Sequence, residues 1–123
     1  MIPMGSFRLE VSVGSVFRML AIAAVVAVMP ALARAQDAEK GKAVYAAQKC
    51  SVCHSIAGTG GKASPLDGVG KKLSAADIHA WITMPKAMEK KTNSTKKPPM
   101  PEKFAKLPAA DVDALVAYMV SLK

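Results

Sequence analysis

Cysteine is scarce in this 123-residue chain: it has only two, Cys50 and Cys53, which lie three positions apart. A disulfide between residues so close together would close a very small loop and would restrict the unfolded chain little. The length allows one domain, and a domain this small usually needs a staple besides its hydrophobic core. The sequence therefore indicates another stabilising element, such as a large covalently held cofactor.

Three other patterns are missing. The sequence has no internal repeat and no alternating apolar and polar run of the kind that predicts a β-strand. It also has no basic stretch interleaved with aromatic residues, so nucleic-acid binding has little support. Its apolar residues recur at helical spacing instead, which predicts an all-α domain with long functional loops.

No apolar run is long enough to span a bilayer comfortably. The longest, residues 19–29, has eleven residues, whereas a membrane-spanning helix needs about 20. A basic segment precedes this run, and Pro30 and the small residues Ala33 and Ala35 follow it. This order is typical of a cleaved secretory signal peptide. The alternative is a retained membrane anchor of about the same length.

We therefore expect residues 1–35 to be a signal peptide and residues 36–123 to be a mature periplasmic domain. All three arginines and one acidic residue lie in the leader, which leaves 14 lysines and 8 acidic residues in the mature domain. A lysine excess favours steered, transient encounters with an acidic partner. It is equally typical of a surface that only keeps a protein soluble.

Helix signals and loop signals alternate along the mature domain. Asp37 suits the start of a first helix, and the six glycines and prolines within residues 54–72 predict an irregular loop. Residues 74–77 resemble a capping box that begins a second helix, and Pro85 is expected to end it.

The remainder of the domain divides into a loop and a last helix. Residues 86–106 hold seven lysines and three prolines, so we expect them to be extended or irregular. Residues 108–123 begin with proline, which suits the first turn of a helix. Their apolar stripe at helical spacing consists of Leu115, Tyr118, Met119 and Leu122.

Both cysteines belong to the motif Cys50-Ser51-Val52-Cys53-His54, which is the attachment signal for c-type haem. Cysteines about one helical turn apart can form thioethers to both vinyl positions on one edge of the porphyrin. The next residue can then place its imidazole beneath the iron as the proximal ligand.

Three other interpretations of the motif are weaker. A thioredoxin-like dithiol is expected beside a βαβ unit, which this sequence lacks. A zinc site needs four ligands, and His79 is the only histidine besides His54. A plain disulfide would leave His54 and the small core without an explanation.

Iron has a second axial position, and five residues of the mature domain could occupy it: His79, Met84, Met88, Met100 and Met119. Met119 lies on the apolar stripe of the last helix, where a core role is the simpler interpretation. Met100 differs from the others because Pro98, Pro99 and Pro101 surround it. These prolines reduce the entropy lost when a thioether is held on iron.

Together these residues resemble the class I c-type cytochromes, particularly the short bacterial monohaem members. The resemblance covers essentially the whole mature region. In that family an N-terminal helix carries a glycine and an aromatic residue one turn apart, as Gly41 and Tyr45 are here. This helix packs across a C-terminal helix with a Leu-x-x-Tyr pair, as in Leu115 and Tyr118. The resemblance implies an all-α class I cytochrome c fold with these two helices crossed around one haem.

The resemblance also implies roles for individual residues. Cys50 and Cys53 would bind one covalent haem c, with His54 as the proximal ligand and Met100 as the distal one. The carbonyl of Pro65, in a Pro-Leu segment similar to that of the family, would accept a hydrogen bond from the His54 ring and raise its basicity.

Trp81 is similar in place to a tryptophan that packs against the haem edge in some members, although a buried core tryptophan explains it equally well. The implied function is outer-sphere electron transfer with other redox proteins, by a monomer that is not an enzyme and meets membranes only through those partners. One alternative is a haem domain with an open sixth site, either gas-binding or peroxidase-like. Another is the cytochrome subunit of a larger periplasmic dehydrogenase.

Overall fold

The computed structural model describes residues 33–123. The predicted signal peptide therefore lies almost wholly outside the described residues. Residues 33–47 are helical and are called α1. The sequence predicted that this helix starts at Asp37. This prediction is wrong, because residues 33–36 are already helical. Alanine, arginine and glutamine, which favour helices, precede Asp37 and carry the helix through it.

Most of the other elements are short, and two irregular segments, residues 61–68 and 93–101, lie among them. In order they are a 3₁₀ turn (Cys50–Val52), β1 (Ser55–Ile56), β2 (Thr59–Gly60), α2 (Val69–Lys72), α3 (Ala75–Thr83), α4 (Pro85–Thr92), a second 3₁₀ turn (Glu102–Lys106) and α5 (Ala109–Ser121). β1 and β2 pair antiparallel. With two residues each, these strands are too short to produce an alternating pattern in the sequence. The described domain is helical, as predicted.

α3 begins where the capping pattern predicted. Ser74 is its N-cap, and the Ser74 hydroxyl oxygen accepts a hydrogen bond from the Asp77 backbone N–H at 3.1 Å. This bond satisfies one of the backbone donors that the first turn of a helix leaves without a partner. The helix ends at Thr83, before Pro85, as expected.

The prediction that residues 86–106 are irregular is wrong for two parts of the segment. Pro85 does not only end α3 but also begins α4, where proline at the first position costs no hydrogen bond. α4 ends at Thr92, and its C-cap Asn93 adopts a left-handed conformation (φ 50°). Within α4, the side chains of Pro85 and Met88 are buried. Packing on this apolar side stabilises a lysine-rich helix that its own sequence does not predict. Residues 93–101 between α4 and the second 3₁₀ turn are irregular, as predicted.

α1 and α5 cross at Gly41, which is buried. A Cβ at this position would overlap the Ala114 carbonyl of α5, so only glycine allows the two backbones to come this close. One turn later the Tyr45 and Tyr118 rings meet edge to face, with centroids 5.8 Å apart. The crossing that the resemblance implied is therefore present.

The hydrophobic core lies between α3, α5 and the second 3₁₀ turn. Its buried members are Ile78, Ile82, Phe104, Val112, Leu115 and Met119. Because so few large side chains are buried, the core is small for a domain of this length.

Candidate functional site

The segment with both cysteines is a tight turn closed by its own backbone. The N–H groups of Cys53 and His54 both donate to the Cys50 carbonyl, at 3.2 and 3.0 Å. Both cysteines are half-buried, and they are not bonded to each other. Burial raises the pKa of the Cys50 thiol, while a backbone hydrogen bond and the nearby Lys103 charge act in the opposite direction.

The β1–β2 hairpin packs directly against this turn. The Gly61 N–H donates to the Ser51 carbonyl at 2.7 Å, and a Cβ on Gly61 would overlap the Val52 carbonyl. Gly60 has a φ of +115°, which side chains other than glycine rarely adopt. Glycines that predicted only an irregular loop therefore allow the hairpin to support the cysteine turn.

The His54 ring is oriented by a backbone carbonyl. Its Nδ1 lies 2.8 Å from the carbonyl oxygen of Ser64. Because a carbonyl can only accept, Nδ1 carries the proton, and Nε2 of a neutral ring keeps its lone pair for a ligand. Such a bond fixes the ring orientation and raises the basicity of the other nitrogen.

The carbonyl that accepts this bond was wrongly predicted: it belongs to Ser64 and not to Pro65. The Ser64 N–H donates to the Cys53 carbonyl at 3.2 Å, and the Leu66 N–H donates to the Ser55 carbonyl at 2.8 Å. These two bonds align residues 64–66 along residues 53–55. In this alignment the Ser64 carbonyl faces the ring.

The backbone of His54 is held from α1. The Tyr45 hydroxyl donates to the His54 carbonyl at 3.1 Å. Burial, together with smaller effects of Cys50 and Tyr118, raises the pKa of Tyr45 to about 12, so the phenol remains a donor at neutral pH. The sequence indicated only a packing role for Tyr45. No local pattern relates this hydroxyl to a carbonyl nine residues further along the chain.

These groups line one cavity of about 770 Å³. This volume lies within the range of sites for organic ligands and cofactors, about 300–1,000 Å³. The structure brings all six predicted site residues to the wall: Cys50, Cys53, His54, Pro65, Trp81 and Met100. Much of the remaining wall is apolar and comes from the core, including Leu73, Ile78, Ile82, Phe104, Leu115 and Met119.

The other candidates for the second axial position are distributed differently. His79, Met84 and Met88 do not line the cavity formed by the described residues. Met84 is 56% exposed, whereas Met88, a buried residue of α4, is 5% exposed. Met119 does line the cavity, but it is also a buried member of the core on α5.

Met100 lies in the irregular segment 93–101, several residues of which line the cavity. Its side chain is half-buried and packs against the core. An ion pair of 2.8 Å between Lys86 and Glu102 joins the start of α4 to the residues that follow Met100. The pair is exposed and therefore contributes little energy, but it links two segments that border the site.

The charges around the cavity are mainly positive. The cavity is lined by four lysines, Lys49, Lys72, Lys96 and Lys103, and by two acidic residues, Asp67 and Glu89.

The side chains at the cavity fit a covalently attached haem. Two unpaired thiols, an imidazole whose Nδ1 is already hydrogen-bonded and a thioether share one apolar cavity.

The arrangement defines the class of protein as a small all-α haem protein of the c type. The family model described as Cytochrome c matches residues 38–123, which is more than two thirds of the chain. The chain belongs to the cytochrome c family and has the all-α class I fold predicted for it. Searches of curated proteins and of solved structures found no match.

Membership of this family establishes the cofactor and the general chemistry. The domain binds covalent haem c, one group in a family member of this size, and its function is haem-based electron transfer with redox partners. Within residues 33–123, no helix is long and apolar enough to cross a membrane.

Proposed function

We propose that this protein is a periplasmic electron carrier in which Cys50 and Cys53 attach the haem while His54 and Met100 bind its iron. The observation that carries the proposal is the convergence of two unjoined thiols, a hydrogen-bonded imidazole and a thioether on one cavity. Bound haem would supply reversible one-electron chemistry, and ligation by both His54 and Met100 would leave no position on the iron open to a substrate.

The surroundings of His54 support its role as the proximal ligand. The turn that contains the cysteines leads directly into His54, and the Ser64 carbonyl fixes the protonated nitrogen of its ring. A ring held in this way loses little further freedom when Nε2 binds a metal.

The position of Met100 supports its role as the distal ligand. Among the alternatives, His79, Met84 and Met88 do not line the cavity, and Met119 already packs inside the core. Three prolines restrict the backbone around Met100, so its thioether needs little further ordering. Thioether ligation favours ferrous iron and raises the reduction potential, which suits a carrier better than a site that activates bound molecules.

Optical spectra of the intact protein in both oxidation states test this ligation. We expect six-coordinate, low-spin iron, a weak far-red band from sulfur bound to ferric iron, and slow reaction with added cyanide or carbon monoxide. Fast binding of either ligand by the parent protein contradicts the proposal. That result favours an open-site haem domain of the gas-binding or peroxidase-like type.

We further propose that partners with acidic surfaces dock at the lysines around the cavity. Four lysines and two acidic residues line it, so an acidic partner would be attracted towards the haem. Transfer to a small acidic redox protein is therefore expected to slow as salt is added, because ions screen attraction beyond a Debye length of about 10 Å at 0.1 M.

Two matched variants locate the docking surface. Lys96→Gln removes a positive charge at the cavity and should slow transfer and weaken its dependence on salt. Lys42→Gln removes the same charge from an exposed position on α1 outside the cavity and should leave both nearly unchanged. Equal effects of the two variants, or rates that do not fall with salt, would mean that the lysines only keep the protein soluble.

We propose that export delivers the domain to the periplasm, on the evidence of the basic segment, the short apolar run and the small residues before Gln36. Intact-mass measurement of the periplasmic protein is expected to give a chain that starts at or near Gln36 and carries one haem. A haem protein that retains residues 1–35 would instead support a membrane anchor.

A further inference from the structure

The His54 residue is held at three points, and each holding group comes from a different segment. Its N–H donates to the Cys50 carbonyl at 3.0 Å, and its ring Nδ1 donates to the Ser64 carbonyl at 2.8 Å. Its own carbonyl accepts from the Tyr45 hydroxyl at 3.1 Å. The first contact belongs to the cysteine turn and the second to the following loop. Only the third joins His54 to the helical part of the fold.

Tyr45 is itself firmly placed. Its ring meets the Tyr118 ring edge to face, at an interplanar angle of 71°. One turn before it on α1, Gly41 lies directly against the Ala114 carbonyl. The hydroxyl therefore extends from the crossing of α1 and α5 to the His54 carbonyl. Direct backbone contact at Gly41 holds this crossing in place.

A hydrogen bond to the carbonyl of His54 restrains rotation of the peptide that follows it. Rotation of this peptide would move Ser55, whose carbonyl accepts from the Leu66 N–H at 2.8 Å. Residues 64–66 would then shift relative to residues 53–55, and the Ser64 carbonyl would move away from the ring. The phenol is thus coupled to the ring orientation through the Leu66–Ser55 backbone hydrogen bond and the hydrogen bond between the Ser64 carbonyl and the His54 ring.

We propose that the Tyr45 hydroxyl is a positioning group for the proximal histidine, which transmits the placement of the α1–α5 crossing to the His54 imidazole. The inference rests on the proposed ligation of iron by His54. A phenylalanine at this position would fill the same space and keep the contact with Tyr118, so the inference concerns the hydroxyl alone.

Tyr45→Phe in the haem-loaded protein tests the inference, with Tyr118→Phe as the matched control. Both variants remove one phenolic oxygen from the same aromatic pair. Within residues 33–123, the Tyr45 hydroxyl donates to the His54 carbonyl, whereas the Tyr118 hydroxyl takes part in no hydrogen bond. Nuclear magnetic resonance of the ferrous protein gives the solvent-exchange rate of the His54 Nδ1 proton. The haem methyl shifts of the ferric protein report the orientation of the imidazole plane.

Exchange of the Nδ1 proton is expected to be about fivefold faster in Tyr45→Phe, the factor that corresponds to one typical hydrogen bond. The haem methyl shifts should also move, and the Tyr118→Phe protein should match the parent in both measurements. If Tyr45→Phe has the same Nδ1 proton exchange rate and the same haem methyl shifts as Tyr118→Phe, the inference is overturned while the proposed ligation stands. A parent protein without histidine-ligated, low-spin iron overturns the ligation, and the inference with it.

Discussion

Replacement of both Cys50 and Cys53 by alanine is expected to abolish covalent haem and to prevent the folded protein from accumulating. The cavity of about 770 Å³ reaches core residues on α3 and α5, including Ile78 and Leu115. Without an attached group, these apolar walls would face water or collapse. The buried core is too small to offset that loss, since a domain of this size is only marginally stable.

Haem staining of a denaturing gel measures attachment, and circular dichroism with limited proteolysis measures folding. Ser51→Ala is the matched control, because Ser51 lies between the cysteines with an exposed side chain, and its carbonyl, which accepts from Gly61, is retained. This control should stain and fold like the parent. A soluble, protease-resistant double-alanine protein would contradict the claim that the haem completes the core.

Replacement of Met100 by alanine is expected to remove the far-red sulfur–iron band and to lower the reduction potential. The direction follows from the thioether, which stabilises ferrous iron more than ferric iron. The variant should also bind carbon monoxide or cyanide readily, because one axial position becomes open. Potentiometric titration and ligand-binding kinetics measure these effects.

Other methionines supply controls that separate ligation from packing. Met84→Ala should keep both the band and the stability, because Met84 is 56% exposed. Met88→Ala should keep the band but lower the unfolding free energy by about 2–5 kcal/mol, because it deletes a buried side chain. If the band survives Met100→Ala and disappears with another methionine, the ligand assignment is wrong while electron transfer remains the function.

The cysteine motif shows how far local pattern extends. Attachment of haem depends on residues within one turn of the chain, so the spacing of Cys50, Cys53 and His54 is enough to predict it. α4 shows the limit of local pattern. Its sequence carries many lysines and begins with proline, so periodicity predicts no helix there. The burial of Met88 depends on how α4 packs against α3, which the pattern within α4 does not encode.

The sequence by itself determined the all-α class and the haem attachment motif of Cys50, Cys53 and His54. Its resemblance to the class I cytochromes implied the further site residues Pro65, Trp81 and Met100, and the structure places all six among the residues that line the cavity. The class and the motif depend on helical periodicity and on short spacings, which are local properties of the chain. Only the tertiary structure decided that Ser64, rather than Pro65, accepts from the His54 ring, and that the Tyr45 hydroxyl reaches the His54 carbonyl. Both contacts depend on how a loop and a helix pack against the cysteine turn. A hydrogen bond between segments forms where packing brings a donor and an acceptor within about 3 Å of each other, and no local pattern encodes that distance.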